Sequence, residues 1–572
     1  MKFILSRLAP YRWRMLVGFC IKVAGTVAEL MLPVILTHIL ENVIADLQVE
    51  RVVLFGGLMI LFSTIACIGN IVANRMAARV SMLFSRQMRR DLFEKTLYLS
   101  ARDTDALTVP SLESRITSDT YHIHNFLGTM QRMGVRAPIL LVGGMTISFL
   151  MDSYLALVML AMLPIIFIIV YFISRKGVPL YAQVQRSVDG MVRVVREDTQ
   201  GIRVIKALSK NEYENRRYEK VNKALSRDER HAGVVMGAVN PLMTLLMNLG
   251  ITGVIALSAV RVASNTSSAA TVIAFIQYFT LISMAMMSLS RIFVMYTKCA
   301  ASAKRIEEVM NTPDRFFVTP PEKKEDDDSH ICFDGVSFSY FGVRNDLEEI
   351  SFSLSRGESL GIIGATGSGK STLIKLLLRF YEVNAGEIRI NGRPLTSYDR
   401  ASLCAMFGVV LQNDFLFADT VEENISFGRS LSREAVERAA RLAQAEDFIK
   451  ATEDGYGHML SPKGTNLSGG QRQRLLIARA LAADPEILIL DDASSALDYK
   501  TDAALRQALA RELGNTTTIT VAQRVSSVKG CDLILVLDEG RIIGAGRHEE
   551  LLKSCAEYRE ISESQMGGAF VE

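Results

Sequence analysis

The chain has 572 residues, so it is too long for one domain, and two to four domains are expected. The formal net charge is +3, and no nucleic-acid partner is expected. The mean hydropathy of +0.22 is high for a chain with 22% charged residues. The seven cysteines show no CxxC pairing, which argues against a disulfide framework and against a zinc site.

Six apolar stretches are long enough to cross a membrane, which takes about 20 residues. They lie near residues 13–40, 51–76, 133–152, 154–174, 234–262 and 268–296. The basic residues before the first stretch lack a signal-peptide pattern, so we expect a cytosolic helix lying against the membrane there. Only Asp152, Ser153 and Tyr154 separate the third and fourth stretches, which predicts a tight turn. Residues 1–312 are therefore predicted to form an all-α transmembrane domain.

Lys and Arg residues predict the orientation of these spans. Residues 75–136 contain ten Lys or Arg and residues 175–230 contain fourteen, whereas the three alternate connections contain almost none. Both long connections and both termini are therefore predicted to be cytoplasmic. Helical spacing of apolar residues in the long connections predicts paired helical arms that extend about 37 Å from the membrane.

Two residues within the spans are candidates for a substrate pathway. Glu29 is an ionisable residue midway along the first span, where it could contact a cationic substrate. A helix–helix hydrogen bond or a water-lined vestibule is the alternative for Glu29. Met287 belongs to a Met- and aromatic-rich stripe of the sixth span, which suits varied apolar ligands but also suits lipid contact and packing.

A cluster of prolines and charges at residues 313–329 predicts a linker. Residues 330–565 follow as a predicted α/β nucleotide-binding domain. The strand Ser359–Ile363 leads into a phosphate-binding loop, in which glycines let backbone N–H groups surround phosphates, Lys370 supplies a charge and Ser371 can ligate Mg²⁺. The residues predicted to bind ATP are Tyr340 (as a platform under adenine), Gly364, Thr366, Gly367, Ser368, Gly369, Lys370, Ser371 and Thr372.

A second Ser/Gly-rich turn lies about a hundred residues after the first, at the start of another predicted helix. It consists of Leu467, Ser468, Gly469, Gly470 and Gln471. Between the two turns lies a predicted strand, Phe407–Leu411, and Gln412 directly follows it. A further predicted strand, Ile487–Asp491, lies after the second turn, and Asp491 is its last residue.

These motifs together resemble the ABC exporter superfamily (type IV fold), in which six spans precede one ATP-binding cassette. The resemblance implies that Gln412 and Asp491 help Ser371 to hold Mg²⁺, and that the signature peptide Leu467–Gln471 caps ATP bound to a second cassette. It also implies a dimer-contacting D-loop, which consists of Ser495, Ala496, Leu497 and Asp498. The string Leu112–Asp119 resembles the first coupling segment, through which the spans meet the cassette.

Two catalytic positions depart from the pattern of the family. Asp492 stands where the family carries the glutamate that polarises water, and Gln523 stands where it carries the switch histidine. Ser461–Gly464 also departs from the usual string before the signature peptide. The closest pattern is the degenerate-site subunit of a bacterial heterodimeric multidrug-type exporter.

The sequence therefore predicts a subunit of an ATP-driven exporter of multidrug or amphipathic compounds, with an ATP site of low activity. Its expected partners are a paralogous half-transporter with the consensus Glu and His, membrane lipid, and a small-molecule or lipid-like substrate. The expected location is the bacterial cell membrane, with the cassette in the cytoplasm. A homodimeric lipid or peptide exporter with slow ATPase is the alternative, and a non-pumping channel or receptor is a more distant one.

Overall fold

The computed structural model describes residues 1–43, 49–264, 267–314, 316–319, 329–412 and 414–566. The chain forms two compact units. The membrane unit comprises Met1–Leu97 and Thr108–Thr312, and the cassette unit comprises Tyr98–Leu107 and the chain from Pro313 onward. In the predicted linker, residue 315 and residues 320–328 lie outside the described residues.

Long helices dominate the described chain before the first strand. They are α1 (Lys2–Leu8), α2 (Arg12–His38), α3 (Val49–Leu97), α4 (Ala101–Leu107), α5 (Val109–Ser114), α6 (Thr120–Met151), α7 (Ser153–Gln200), α8 (Ile202–Ala207), α9 (Asn211–Gly237), α10 (Val239–Ala263) and α11 (Ala269–Met310).

Six helical segments within the described residues are long and apolar enough to cross a membrane, which confirms the six-span prediction. They are Lys2–Val43, Val49–Leu97, Val109–Met151, Ser153–Gln200, Asn211–Ala263 and Ala269–Met310. The fifth segment is interrupted at Ala238, between α9 and α10. Pro241 follows within one turn, and its missing N–H group weakens helix continuity at this point.

Close contacts between the spans explain how the membrane unit holds together. A Cβ added to Gly69 of α3 would lie 3.3 Å from the Cα of Gly25 of α2, so small residues allow these two helices to approach closely. The buried Tyr278 of α11 donates a hydrogen bond to the Leu30 carbonyl of α2 (2.7 Å). Asp152 caps α7 by accepting from the Tyr154 N–H (3.0 Å), which forms the predicted tight turn.

The predicted coupling string and the short helix α4 belong to different units. The helix grouped with the cassette unit is α4, and Ala101 packs against the core of that unit. The predicted string Leu112–Asp119 belongs instead to the membrane unit, where the Asp119 carboxylate pairs with Arg305 of α11 and accepts from Ser302 Oγ (2.8 Å). Asp119 therefore links the start of α6 to α11 within the membrane unit.

The cassette unit alternates strands and helices from residue 331 onward. Its strands are β1 (Ile331–Phe338), β2 (Leu347–Leu354), β3 (Ser359–Gly364), β4 (Ala385–Ile390), β5 (Arg393–Pro394), β6 (Phe407–Val410), β7 (Ile487–Asp491), β8 (Thr517–Val521), β9 (Leu533–Asp538) and β10 (Arg541–Gly546). Its later helices are α12 (Lys370–Leu377), α13 (Arg400–Met406), α14 (Val421–Ser426), α15 (Arg433–Leu442), α16 (Glu446–Lys450), α17 (Gly469–Leu481), α18 (Tyr499–Glu512), α19 (Val525–Val528), α20 (His548–Ser554) and α21 (Ala556–Met566).

These strands build two sheets, which confirms the α/β prediction. One is antiparallel, in the order β2-β1-β4-β5, and the other has the order β10-β9-β3-β8-β7-β6. In the second sheet β9, β3, β8, β7 and β6 are parallel, and β10 is antiparallel at one edge. The carboxyl ends of parallel strands share one edge, which is where ligands bind in open α/β sheets.

Candidate functional site

A cavity of ≈650 Å³ lies at this carboxyl edge of the parallel sheet. Residues that follow four of its strands line the cavity: the phosphate-binding loop after β3, Gln523 after β8, Asp492 after β7 and Gln412 after β6. The predicted members that line it are Thr366, Gly367, Ser368, Gly369, Lys370, Ser371, Thr372, Gln412, Asp491, Asp492 and Gln523. Gly364, at the end of β3, directly precedes the loop.

Glycines shape the phosphate-binding loop. Gly367 (φ +87°) and Gly369 (φ +100°) adopt backbone conformations that other residues rarely reach. The Lys370 ammonium donates hydrogen bonds to the carbonyls of Gly364 (2.8 Å) and Ala365 (2.7 Å). Burial lowers the pKa of Lys370, and the nearby Asp491 and Asp492 partly offset this shift. An anion in the loop would favour the charged ammonium.

Asp491 is the buried carboxylate of the site. The residue is 5% exposed, and its Oδ2 accepts a hydrogen bond from Ser371 Oγ (3.2 Å). Burial raises the pKa of Asp491, the neighbouring Asp492 raises it further, and the Ser371 hydrogen bond and Lys370 oppose these effects. The Ser371 hydroxyl, the Gln412 amide and the Asp491 carboxylate line the same cavity and offer oxygen ligands of the kind that Mg²⁺ accepts, so they fit the predicted metal.

Asp492 has a left-handed backbone (φ +55°), which is uncommon outside glycine but better tolerated by Asp and Asn than by most residues. Its N–H donates to the Val521 carbonyl (2.9 Å), and its carbonyl accepts from Ser495 Oγ (2.9 Å). Burial raises the pKa of Asp492, and Arg524 lowers it. Its backbone is thus fixed between β8 and the D-loop.

The switch position is held by a residue that the sequence did not single out. Gln523 is exposed, and its carbonyl accepts a hydrogen bond from Gln565 Nε2 of α21 (2.8 Å). Gln565 Oε1 also accepts from the Val525 N–H (2.8 Å). This residue lies 42 positions away and has no motif around it, so no sequence signal pointed to it.

Tyr340 borders a second cavity of ≈980 Å³ in the cassette unit. Its hydroxyl lies 3.3 Å from Thr372 Oγ1, which places it beside the phosphate-binding loop. The rings of Tyr340 and Tyr381 meet edge to face, with centroids 5.0 Å apart. The Tyr381 hydroxyl in turn donates to the Asp105 carboxylate of α4. The structure therefore connects the residue predicted to support adenine with α4 through two side chains.

The signature peptide lies away from the phosphate-binding loop of its own chain. Among the described residues, the lining of the ≈650 Å³ cavity includes none from Leu467–Gln471. Ser468 caps α17: its Oγ accepts from the Gln471 N–H (3.2 Å), and Gln471 Oε1 accepts from the Ser468 N–H (2.9 Å). Ser468 and Gly469 are exposed, so this helix start is open to a ligand from outside the chain.

The predicted D-loop contacts both the signature peptide and the backbone of Asp492. A Cβ added to Gly470 would lie 3.2 Å from the Ala496 carbonyl oxygen, and Ser495 bonds the Asp492 backbone. Leu497 is buried, and Asp498 caps α18 by accepting from the Thr501 N–H (2.9 Å). The segment is therefore fixed at both of its ends.

Sequence reasoning missed a group of lining residues at the rim of the ATP cavity. They are Arg344, Asn345, Asp346, Asp538, Glu539 and Gly540. Arg344 and Glu539 form an exposed ion pair (3.4 Å). Arg344–Asp346 precede β2 of the antiparallel sheet, and Asp538–Gly540 form the end of β9 and the turn after it. The strand order of the larger sheet places β9 next to β3.

The membrane candidates have different surroundings. The Glu29 carboxylate accepts two hydrogen bonds from Arg136 of α6, from its Nη2 (2.6 Å) and its Nε (3.2 Å). This contact between α2 and α6 corresponds to the helix–helix hydrogen bond that the sequence analysis gave as an alternative role for Glu29. Met287 is half-buried in α11, and its substrate role stays a prediction.

Comparison with known proteins assigns the family. Residues 15–286 match the ABC transporter transmembrane region, and residues 347–495 match the ABC transporter domain. The chain is 32% identical over 574 aligned residues to an uncharacterized ABC transporter ATP-binding protein of Mycobacterium tuberculosis, covering 99% of this chain and 98% of the relative. The chain belongs to the ABC transporter family.

Further relatives of this ABC transporter extend over nearly its whole length. The uncharacterized ABC transporter ATP-binding protein YfiB of Bacillus subtilis is 33% identical and covers 99% of both chains. A solved structure of a bacterial Atm1-family ABC exporter with ATP bound superposes with a TM-score of 0.82, at 24% identity and 99% coverage of both chains. The ABC transporter therefore has the fold of an ABC exporter.

Proposed function

We propose that this ABC transporter is one subunit of an ATP-driven exporter that pairs with a paralogous chain and moves multidrug-type or amphipathic compounds. The bacterial cell membrane is the proposed location, with cassette, termini and helical arms in the cytoplasm. The observation that carries the proposal is the composition of the ATP cavity, in which Lys370 and Asp491 stand beside Asp492 and Gln523.

The cavity supports nucleotide binding more strongly than turnover. Lys370, the glycine-rich loop and Ser371 provide the groups that hold phosphates and Mg²⁺, and Mg²⁺ would neutralise charge on the phosphates. Asp492 is one methylene shorter than the family's glutamate, so its carboxylate reaches less far toward an attacking water. Phosphoryl transfer depends mainly on positioning and electrostatics, so a misplacement of about 1 Å can lower the rate on the order of a hundredfold.

The intact signature peptide supports a second chain. Ser468 and Gly469 are exposed at the start of α17, and the peptide is absent from the described lining of its own ATP cavity. A helix start with free N–H groups favours an anion. In our proposal Ser468–Gln471 caps ATP held by the partner, whose Glu and His carry out hydrolysis.

The test uses the complex purified from membranes through a tag on this chain, with each variant measured for nucleotide occupancy and ATPase. Lys370→Ala should reduce occupancy, because it removes the charge from the phosphate-binding loop. Asp492→Asn should leave total ATPase within about twofold of the original, because hydrolysis occurs at the other site. Both Asp and Asn tolerate the left-handed backbone at this position, so the second variant keeps the fold.

Loss of turnover in Asp492→Asn would make this half-site the working one and refute the asymmetric proposal. A tagged chain that purifies alone as a stable dimer with ATPase would favour the homodimeric alternative. A complex that binds ATP without ever hydrolysing it would contradict export.

A further inference from the structure

Several polar side chains form a cluster between three spans of the membrane unit. The cluster consists of Lys22 and Glu29 of α2, Asn70 and Asn74 of α3, and Arg132 and Arg136 of α6. Lys22 and Glu29 lie about 15 and 25 Å along the helix from Arg12, at about 1.5 Å per residue. Glu29, Arg132 and Arg136 all lie within electrostatic range of Lys22.

The positive charges of this cluster exceed its negative charges. Glu29 pairs with Arg136 through two hydrogen bonds. The buried Lys22 is held by neutral groups, the amide oxygens of Asn70 (2.7 Å) and Asn74 (3.1 Å). Arg132 donates from Nε to the Gly128 carbonyl (3.1 Å) and is exposed. Arginine does not lose its proton in proteins, so among the described residues at least one cation of the cluster has no carboxylate partner, and two have none when Lys22 is protonated.

Lys22 lies within the first predicted span, and Arg132 directly precedes the third. An uncompensated charge at membrane depth is costly, and such groups face the bundle interior or a water-filled cavity. The Glu29–Arg136 pair is open on one side, since the Arg136 side chain is 39% exposed and that of Glu29 is 21% exposed. A bound anion would offset the excess charge, whereas a bound cation would add to it.

A mostly apolar cavity of ≈450 Å³ lies next to the cluster along α2 and α6. Its lining includes the polar Arg12 and Gln131, and none of the six cluster residues is among the described residues that line it. Gly18 lines it one helical turn before Lys22, and Val135 lines it beside Arg136. Phe19, Met130 and Ala73 contribute further apolar walls. Pockets that hold small organic ligands have volumes of about 300–1,000 Å³. The cavity can therefore receive an apolar tail, and a head group that extends about one helical turn beyond the cavity would reach the cluster.

We infer that the cluster is a head-group site for amphipathic organic anions, with Arg132 as the main ligand for a carboxylate, sulfonate or phosphate. Arg136 holds Glu29, and the apolar cavity takes the tail. This inference rests on the proposed export function and names the class of substrate. It also replaces the expectation that Glu29 contacts a cationic substrate.

The experiment compares three probes that share one fluorescent tail. They are nitrobenzoxadiazole-labelled dodecanoate, its neutral methyl ester and its cationic choline ester. Binding to the purified complex in phosphatidylcholine nanodiscs is followed by fluorescence anisotropy without ATP. We expect the carboxylate to bind on the order of tenfold more tightly than either ester, the size expected for one charge-assisted hydrogen bond.

Variants separate a binding role from a structural one. Arg132→Gln should remove the preference for the carboxylate, whereas Glu29→Gln should strengthen it because the cluster becomes more positive. Val135→Phe should weaken all three probes equally by filling the apolar cavity. Arg196→Gln, which removes an exposed charge from the cytosolic part of α7, is the matched control and should change nothing.

Equal affinity for the three probes would overturn the inference, and so would Arg132→Gln and Glu29→Gln changing the preference in the same direction. Adding phosphatidylglycerol to the nanodiscs distinguishes the source of the anion. Competition by this lipid would identify a lipid head group, and its absence would identify a free amphipath. ATPase measured on the same samples tests export separately, because the binding preference is read without ATP.

Discussion

At the scale of single residues, the ATP cavity shows how a functional group is maintained at the expense of stability. Asp491 is buried at the end of β7, and burial raises its pKa. A carboxyl whose pKa is higher in the folded state than in the unfolded state binds its proton more strongly when folded. Its ionisation therefore destabilises the fold as the pH rises through the folded pKa.

We predict that Asp491→Asn raises the thermal unfolding midpoint of the nucleotide-free protein at neutral pH while abolishing Mg²⁺-dependent ATP binding. The gain should vanish in acid, where Asp491 is protonated in both states. Thermal unfolding across a pH series measures it, and Asp484→Asn at an exposed position is the control. An unfolding midpoint that stays unchanged at neutral pH would contradict the prediction.

Ser468 offers a second residue-scale prediction, because its two roles can be separated. Ser468→Asp keeps a good helix cap, so α17 should remain stable, but it places a negative charge where a phosphate would bind. We expect loss of nearly all ATPase in the complex, with ATP still bound at the Lys370 site. Ser468→Asn is the uncharged cap for comparison, and full turnover in Ser468→Asp would refute capping in trans.

At the scale of elements, helix α21 restrains the switch loop. The Gln565 side chain bonds the Gln523 carbonyl and the Val525 N–H, two backbone groups on either side of Arg524. A side-chain hydrogen bond contributes about 1 kcal/mol net, so the restraint is modest and reversible. Through these hydrogen bonds, α21 directly restrains the backbone position of Gln523, which stands where the family carries its switch histidine.

We predict that Gln565→Ala speeds amide hydrogen exchange of the segment 523–525 on the order of fivefold, because one backbone N–H loses its acceptor. Exchange followed by mass spectrometry provides the measurement. Gln507→Ala on the exposed face of α18 is the control and should leave that segment unchanged. Equal exchange in both variants would show that α21 does not restrain the loop.

At the scale of the whole molecule, the substitutions at Asp492 and Gln523 can have either of two meanings. They slow ATP hydrolysis at this site to regulate the transport cycle, or they are a loss of activity without functional consequence. A site that binds ATP and hydrolyses it slowly would keep one half of a cassette pair closed through successive cycles. Export would then require one hydrolysis per cycle at the partner's residues.

We predict that the double change Asp492→Glu with Gln523→His raises ATPase of the complex only modestly and gives no matching gain in transport. The reason is that the partner's signature peptide must also cap this site, and we expect it to be altered. The measurement is the ratio of intact ATP to ADP trapped in the complex, which shows whether one site or both sites hydrolyse ATP. Equal hydrolysis at both original sites would refute the asymmetric model.

Local patterns were sufficient to predict the elements that hold the motifs. Long apolar runs predicted the six spans, because a hydrocarbon core admits only segments of about 20 apolar residues. Glycine-rich turns between an apolar strand and a helix predicted the phosphate-binding loop for a similar reason, since few residues allow its backbone. The ion pair between Asp119 and Arg305 of α11 could not be predicted in this way, because it depends on how the helices pack.

The sequence by itself determined the six spans, the α/β class of the cassette and the local motifs whose residues line the cavity at the carboxyl edge, because these depend on residues close together in the chain. Only the tertiary structure brought Gln565 to the switch loop, Tyr381 to Asp105 and Arg136 to Glu29. Each pair is separated by tens to hundreds of residues, and a side-chain contact across such a distance depends on strand order and helix packing, which no local pattern records.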